Sequence, residues 1–322
     1  MALDAELIAD RRRLRRKLSF WRVVAFAVLI LAVIGAALSA AGRGPLEGQT
    51  HIARISVDGF IGGSQRMTDL FKRVGEARSV AGVVISINSP GGTTSGAEEL
   101  YRGIRQLADK KPLVAFVDGT AASGGYIAAL AAERIVARET SLIGSIGVLF
   151  QYPDLSRLLE TVGVKVEEIK SAPFKAEPSG FRPTSPEARA ALQAVVNDTH
   201  EWFRRLVGER RRLGDGELSA VADGRIHNGR QALTLKLVDQ LGNESDAVAW
   251  LEREKNVTKD LPVRAWRPRR DGSGFDLWNA AAVGADLLGF DTLAARLRQA
   301  GLAADIAKLD GLLAVWQPAF EK

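Results

Sequence analysis

The residue most suited to chemistry is Ser123, in the run Ala122-Ser123-Gly124-Gly125-Tyr126-Ile127. The run places a serine on a glycine-flanked turn, between an apolar strand (Leu113 to Val117) and a helix of small residues (Ile127 to Ala132). At a helix N-terminus the first backbone N–H groups have no partner inside the helix, so they point outward beside the hydroxyl. A second glycine turn, Asn88-Ser89-Pro90-Gly91-Gly92, ends another apolar strand, Val83 to Ile87. Its unshielded N–H groups would complete an oxyanion site. Nucleophilic hydrolysis by Ser123 is therefore the leading expectation.

A serine nucleophile needs a base. Only three histidines exist, His51, His200 and His227, and none lies in a glycine-rich strand end. A lysine amine also serves as base when burial brings its pKa toward neutrality. Lys165 and Lys170 flank an expected strand, whereas Lys175 lies in a loop between small and apolar neighbours, Ala172-Pro173-Phe174 and Ala176. These residues by themselves leave the base open.

Charge narrows the partners. The net charge is +6, and residues 1–22 carry +4 of it, with seven basic against three acidic side chains. The remaining 300 residues carry only +2, so no basic groove for nucleic acid is expected. Residues 23–41 contain no charge. As a helix they would reach roughly 28 Å, close to the ~30 Å hydrocarbon core. The preceding arginines would hold the N-terminus in the cytoplasm and send the rest across the bilayer. A cleaved signal peptide ending near Ser39-Ala40-Ala41 is the rival reading, but the apolar stretch exceeds the usual length. Without cysteine there is no disulfide, thiolate nucleophile or cysteine-bound metal.

The elements that must position Ser123 follow from hydrophobic pattern. Strands are expected at His51 to Val57, Val83 to Ile87, Leu113 to Val117, Arg134 to Ala137 and Val164 to Ile169. Helices are expected at Gln65 to Arg78, Gly96 to Ala108, Asp154 to Val162, and from Thr184 or Ser185 onward. The last begins with Pro186, has Glu187 three residues after Thr184, and carries a stripe from Leu192 to Val207. Apolar strands alternating with helices predict an α/β fold with a mainly parallel sheet, whose strand ends carry the site. Arg204, Arg205 and Arg210 to Arg212 read as a solvated or subunit-contacting face. The expected divisions are a basic segment at 1–22, an anchor at 23–41, a linker at 42–50, a catalytic domain at 51–255, and a C-terminal helical extension at 256–322.

Four motifs in series carry a resemblance: Asn-Ser-Pro-Gly-Gly at 88–92, Ala-Ala-Ser-Gly-Gly-Tyr at 121–126, Gly-Ser-Ile-Gly-Val at 144–148 and Ala-Asp-Gly-Arg at 222–225. Over about residues 50–250 the chain resembles the signal peptide peptidase A family of serine–lysine membrane peptidases, the S49 type. That resemblance implies the ClpP/crotonase fold, with Ser123 as nucleophile and Lys175, 52 residues later, as general base. It implies that Ser145 orients the lysine, and that the N–H groups of Gly92 and Gly124 form the oxyanion hole, with Gly91 as the alternate to Gly92. It further implies no metal or cofactor and a homo-oligomeric ring on the bilayer of a bacterial inner membrane. In short members of the family, serine and lysine come from neighbouring subunits. Apolar peptides, signal peptide remnants among them, would be the substrates. His227, where the family often has an aromatic residue, and the tail after 256 depart from the pattern.

Two other functions remain as alternatives. A crotonase-type acyl-CoA enzyme would use similar paired N–H groups without a serine nucleophile, and an inactive homologue would organise membrane proteins.

Overall fold

The computed structural model describes residues 49–268, seven isolated positions among residues 17–26, and the backbone of Leu313–Val315. The chain divides into two units, Met1–Gln49 and Thr50–Lys322. In the first, the described residues among 17–26 are helical, and the exposed rings of Phe20 and Trp21 meet edge-on. The expected anchor at 23–41 lies, except for residues 24–26, outside the described residues. Among the described residues no helix is long and apolar enough to cross a membrane.

The second unit is an α/β fold. Its order is β1 (His51–Ile61), α1 (Gln65–Glu76), β2 (Val80–Thr93), α2 (Thr94–Ala108), β3 (Leu113–Ala122), α3 (Gly124–Leu130), β4 (Ile135–Ala137) and β5 (Leu142–Gly144). There follow α4 (Ser156–Thr161), α5 (Pro186–Arg211), α6 (Asp215–Val221), β6 (Ile226–Asn228), α7 (Gly229–Thr234), β7 (Gln240–Leu241), α8 (Glu244–Glu254), β8 (Val263–Trp266) and β9 (Leu313–Val315). The main strand order is β6-β5-β3-β2-β1-β8, with β4 between β3 and β7 and with β9 on β2. All these pairs are parallel except β5–β6 and β2–β9.

The central strands are apolar without alternation because both faces are covered. Ala53, Ile55, Val83, Ile85 and Val117 face a core shared with α1, α2, α3 and the end of α5. Their neighbours Ile52, Val84, Val114 and Phe116 face a second core with Trp250 and Leu251 of α8. Each fully buried side chain of this kind contributes about 1.5–3 kcal/mol, which fixes the strands and hence the turns at their ends.

β3 changes partner along its length. Ala115–Val117 pair with β4, whereas Thr120–Ala122 pair with β5. Between these stretches the Asn88 side chain accepts from Thr120 N–H at 3.1 Å. The register against β2 shifts between Ile87 and Ser89. The sheet thus splays at its C-terminal edge, and the gap opens beside the Ser123 turn.

Several expectations need correction. No strand forms at 164–169; this stretch is irregular and exposed. Val and Ile density suggested a strand, but among the described residues no neighbouring strand pairs with it. α5 is capped by Ser185, whose side chain accepts from Ala188 N–H, and not by Thr184, which bonds Tyr152. The packing of α5 is uneven: Phe203, Leu206 and Val207 near its end and Ala188 in its first turn are buried, while Val195 is 46% exposed. Arg210 and Arg211 are not a solvated face. Arg210 donates to the carbonyls of Leu130 and Ala132 at 2.7 and 2.8 Å, capping α3 from its C-terminal end. Arg211 pairs with Asp239 and donates to Lys236 O. The helical extension expected at 256–322 lies largely outside the described residues, but where it is described it forms strands, Val263–Trp266 paired with β1 and Leu313–Val315 paired with β2.

Candidate active site

Three turns converge at the C-terminal ends of β2, β3 and β5, and each contains backbone at positive φ. Gly91 has φ 106° and Gly144 has φ 111°, conformations for which glycine is suited. Ser123 and Ser145 adopt φ 52° and 51° although they carry side chains. Ser123, with ψ −116°, lies outside the ordinary left-handed basin as well. Such backbone costs about 1–3 kcal/mol per residue and persists only where its surroundings hold it.

What holds Ser123 is visible. Its N–H donates to Gly144 O at 2.8 Å, and its carbonyl accepts from Tyr126 and Ile127 N–H as α3 begins. Gly125 packs so closely that a Cβ there would lie 2.6 Å from Ser89 O. Tyr126 is fully buried, and its hydroxyl donates to Leu237 O at 2.8 Å. The serine is 1% exposed in the single chain, and its Oγ donates to Gly147 O across a long 3.5 Å.

The donors around it divide cleanly. Gly124 N–H has no acceptor among the described residues. Gly91 N–H is occupied, donating to Ser89 Oγ at 3.1 Å while that hydroxyl donates to Gly59 O. Gly92 lies so close to β1 that a Cβ would overlap Ile61 O, at 1.8 Å. Ser89 and Gly147 are site residues that sequence reasoning did not assign. Ser89 stood in the quoted motif, but only the fold shows what its hydroxyl holds.

Ser145 follows directly on Gly144, the residue that holds Ser123. Its N–H donates to Arg225 O at 2.7 Å, and its hydroxyl has no partner among the described residues. The Ala-Asp-Gly-Arg turn thus braces this corner through a backbone carbonyl, with Arg225 and Asp223 paired to each other at the surface.

The lysines separate by their bonds. Lys170, 14% exposed, is held by Glu168 and Glu177 at 2.8 and 2.9 Å, and Arg182 pairs with the same two carboxylates. Its donors are committed to that cluster. Lys165 pairs with Glu167 in solvent. Lys175 is exposed; its N–H donates to Ala172 O at 3.1 Å, and its side-chain amine has neither hydrogen bond nor ion pair among the described residues. It makes no bond to Ser123 or Ser145 within the chain, so the expected dyad is not closed in one protomer.

The histidines are structural. His51 Nε2 accepts from Trp266 Nε1–H at 3.0 Å, beneath that stacked ring. His200 Nε2 lies 3.2 Å from Ala222 O. His227, opposite Ile143 in the β5–β6 pair, is 9% exposed, and its Nε2 is buried without a partner. Burial lowers its pKa, helped by Arg225 and opposed by Asp223. The folded chain thus binds this proton less readily than the unfolded chain. The neutral ring contributes stability above the ordinary imidazole pKa, and that contribution is lost as pH falls below it toward the depressed folded value. Thermal melts of the wild type should therefore fall more steeply between pH 7.5 and 5.5 than those of His227→Phe. Parallel slopes would contradict this.

Among the described residues no cluster of histidine and carboxylate side chains could hold a metal ion.

Comparison with known proteins places the chain in a family. The sequence model of peptidase family S49 matches residues 105–258. A protein of Synechocystis, a protease by name, is 41% identical over 201 residues, which cover 62% of this chain and 72% of the relative. One from Methanocaldococcus jannaschii, also a protease by name, is 39% identical over 180 residues, 56% of this chain and 58% of the relative. One from Enterococcus faecium, named as a signal peptide peptidase, is 32% identical over 212 residues, 66% of this chain and 61% of the relative. This chain thus spans less than two thirds of the length of the latter two. Among solved structures, a ClpP1 variant from Listeria monocytogenes matches 61% of this chain and 94% of its own, with TM-score 0.40 and 17% identity. On the strength of the sequence relatives, the chain belongs to peptidase family S49, a family of serine peptidases.

Proposed function

We propose that the protein is a membrane-anchored serine endopeptidase working through Ser123 and Lys175, with the ClpP/crotonase type of fold. One observation carries this reading: Ser123 is held at φ 52°, ψ −116°, on a turn whose Gly124 N–H has no acceptor among the described residues. An acyl-CoA enzyme that only polarises a thioester would gain nothing from a strained serine.

In the proposed mechanism, the neutral amine of Lys175 takes the Ser123 proton as Oγ attacks a peptide carbonyl. The developing oxyanion is received by the N–H groups of Gly92 and Gly124, each worth about 3–4 kcal/mol of barrier. The protonated lysine then gives its proton to the leaving amine. Water, activated by the same amine, releases the acyl group and restores the serine. Ser145 Oγ, without a partner among the described residues, is the hydrogen-bond partner that orients the lysine.

Lys175 reaches this site from a neighbouring protomer. The segment that bears it presents Leu158, Val162, Val164, Ile169, Phe174 and Phe181 to solvent. So many exposed apolar side chains on one segment suit a surface that is covered in an assembly, here a homo-oligomeric ring. Substrates are extended apolar peptides, signal peptide remnants among them. The setting is a bacterial inner membrane, with residues 23–41 as anchor, the N-terminus cytoplasmic and the catalytic domain outside.

A fluorophosphonate probe should label the detergent-solubilised protein on Ser123, located by mass spectrometry, and Ser123→Ala should not label. An unlabelled wild type would overturn this reading and leave the two that need no serine nucleophile, the acyl-CoA enzyme and the inactive homologue.

A further inference from the structure

The loop that bears Lys175 is fixed by its backbone on one side only. Its own turn is small: Lys175 N–H donates to Ala172 O at 3.1 Å, and Glu177 N–H to Phe174 O at 3.2 Å. Between them Ala176 adopts φ 60°. That is left-handed backbone on a residue with a Cβ, and it persists only where its surroundings hold it. After the turn the chain is anchored. Gly180 O accepts from Leu155 N–H at 2.8 Å, and the hydroxyls of Tyr152 and Thr184 bond at 2.8 Å. Before the turn it is not: residues 165–171 make no backbone hydrogen bond among the described residues.

Four charged side chains tie the loose limb to the anchored one. Glu177 is their centre. Its side chain is 8% exposed, and its carboxylate accepts from Lys170 Nζ at 2.9 Å and from Arg182. Lys170 also pairs with Glu168 at 2.8 Å, and Arg182 lies 3.7 Å from that second carboxylate. Residues 168–170 and 177–182 are thus laced together, with Lys175 between them. Removing one partner from a largely buried ion pair leaves the other's charge uncompensated, so this closure is hard to open in part. The Lys175 amine bonds nothing among the described residues. Its place is therefore set by the frame that carries it.

We propose that Glu177 is a positioning residue: by joining Lys170 to Arg182 it closes the loop and holds Lys175 where its amine can reach Ser123. This rests on the peptidase reading above. Glu177 touches no reacting atom and acts only through the place of the base. A misplacement of about 1 Å at a reacting group costs about 100-fold in rate. The loss should therefore fall on the chemical step, while substrate binding is untouched. The two cations are partly redundant, since either one alone still engages Glu177.

The test uses the full chain. Glu177→Gln keeps the shape and removes the charge. It should lower kcat for a fluorogenic apolar peptide by about tenfold or more with KM unchanged, and slow fluorophosphonate labelling of Ser123 as well. Glu177→Asp, which keeps the charge, should recover most of the rate. Wild-type kcat in Glu177→Gln, or an effect on KM alone, would overturn the proposal while leaving the peptidase reading intact. Should Glu177→Gln fail to fold, the cations serve instead. Lys170→Ala and Arg182→Ala should each cost less than about twofold and together about tenfold or more, a coupling expected of groups that share one partner. A double variant no worse than the product of the singles would overturn the proposal. Mixed chains separate positioning from general damage. When Ser123→Ala and Lys175→Ala chains restore activity together, Glu177→Gln on the Ser123→Ala chain, which supplies the lysine, should cut the recovered activity about tenfold. On the Lys175→Ala chain it should not. Equal losses in the two arrangements would overturn the proposal. If the wild type neither labels nor cleaves, the peptidase reading falls and this inference falls with it.

Discussion

Ser123→Ala is expected to lower kcat for peptide hydrolysis by about 10⁴-fold or more, the scale seen when a catalytic nucleophile is removed. The same change should hardly alter the melting temperature. The Oγ contributes one long hydrogen bond, 3.5 Å to Gly147 O, and its loss leaves a carbonyl that retains a second lone pair. Ser123→Gly sharpens the point. Glycine adopts positive φ without the clash that a Cβ meets, and relief of such strain is worth about 1 kcal/mol. That variant should be equally inactive yet no less stable than the wild type, despite glycine's greater freedom in the unfolded chain. A residue whose replacement removes activity but improves or preserves folding is kept for chemistry. Calorimetry alongside the peptide assay decides this. Residual activity above about one hundredth of wild type in Ser123→Ala would mean that another group performs the attack.

The central strands were legible because their rule is local. Apolar runs such as Val83 to Ile87 and Leu113 to Val117 declare burial on both faces, and the glycine turns after them declare where a chain must bend tightly. Ser123 could be read for the same reason. That Gly91 N–H is taken could not, because it turns on where one hydroxyl, Ser89 Oγ, spends its hydrogen bonds. The role of Arg210 was hidden in the same way: the carbonyls it caps lie about 80 positions earlier in the chain. Residues 164–169 misled for a different reason. Their composition is that of a strand, and among the described residues nothing pairs with them. The first half of α5 carries a stripe written for a partner it does not find within the described residues, as the exposure of Val195 shows. The misread elements cluster on the segment that bears Lys175, which suits a segment whose sequence answers to a second protomer.

Lys175→Ala should abolish hydrolysis as thoroughly as Ser123→Ala, whereas Lys170→Ala should leave most of it. Lys170 is bound to Glu168 and Glu177, so its removal disturbs an ion cluster without touching the reacting atoms, and Arg182 still pairs with both carboxylates. Loss of activity in Lys170→Ala with retention in Lys175→Ala would reverse the assignment. The stronger consequence concerns mixtures. If Lys175 serves the neighbour's Ser123, then co-expressed Ser123→Ala and Lys175→Ala chains, each dead alone, should regain activity together. A head-to-tail ring contains one such contact per subunit. With random assembly of equal amounts, an intact serine meets an intact lysine at about one quarter of the contacts, so about one quarter of wild-type activity should return. A dyad closed within one chain predicts none at any mixing ratio, since every chain then lacks one of the two groups. Varying the ratio adds a check that impurity cannot mimic. The recovered activity should follow the product of the two fractions, peaking at equal amounts and falling symmetrically on either side.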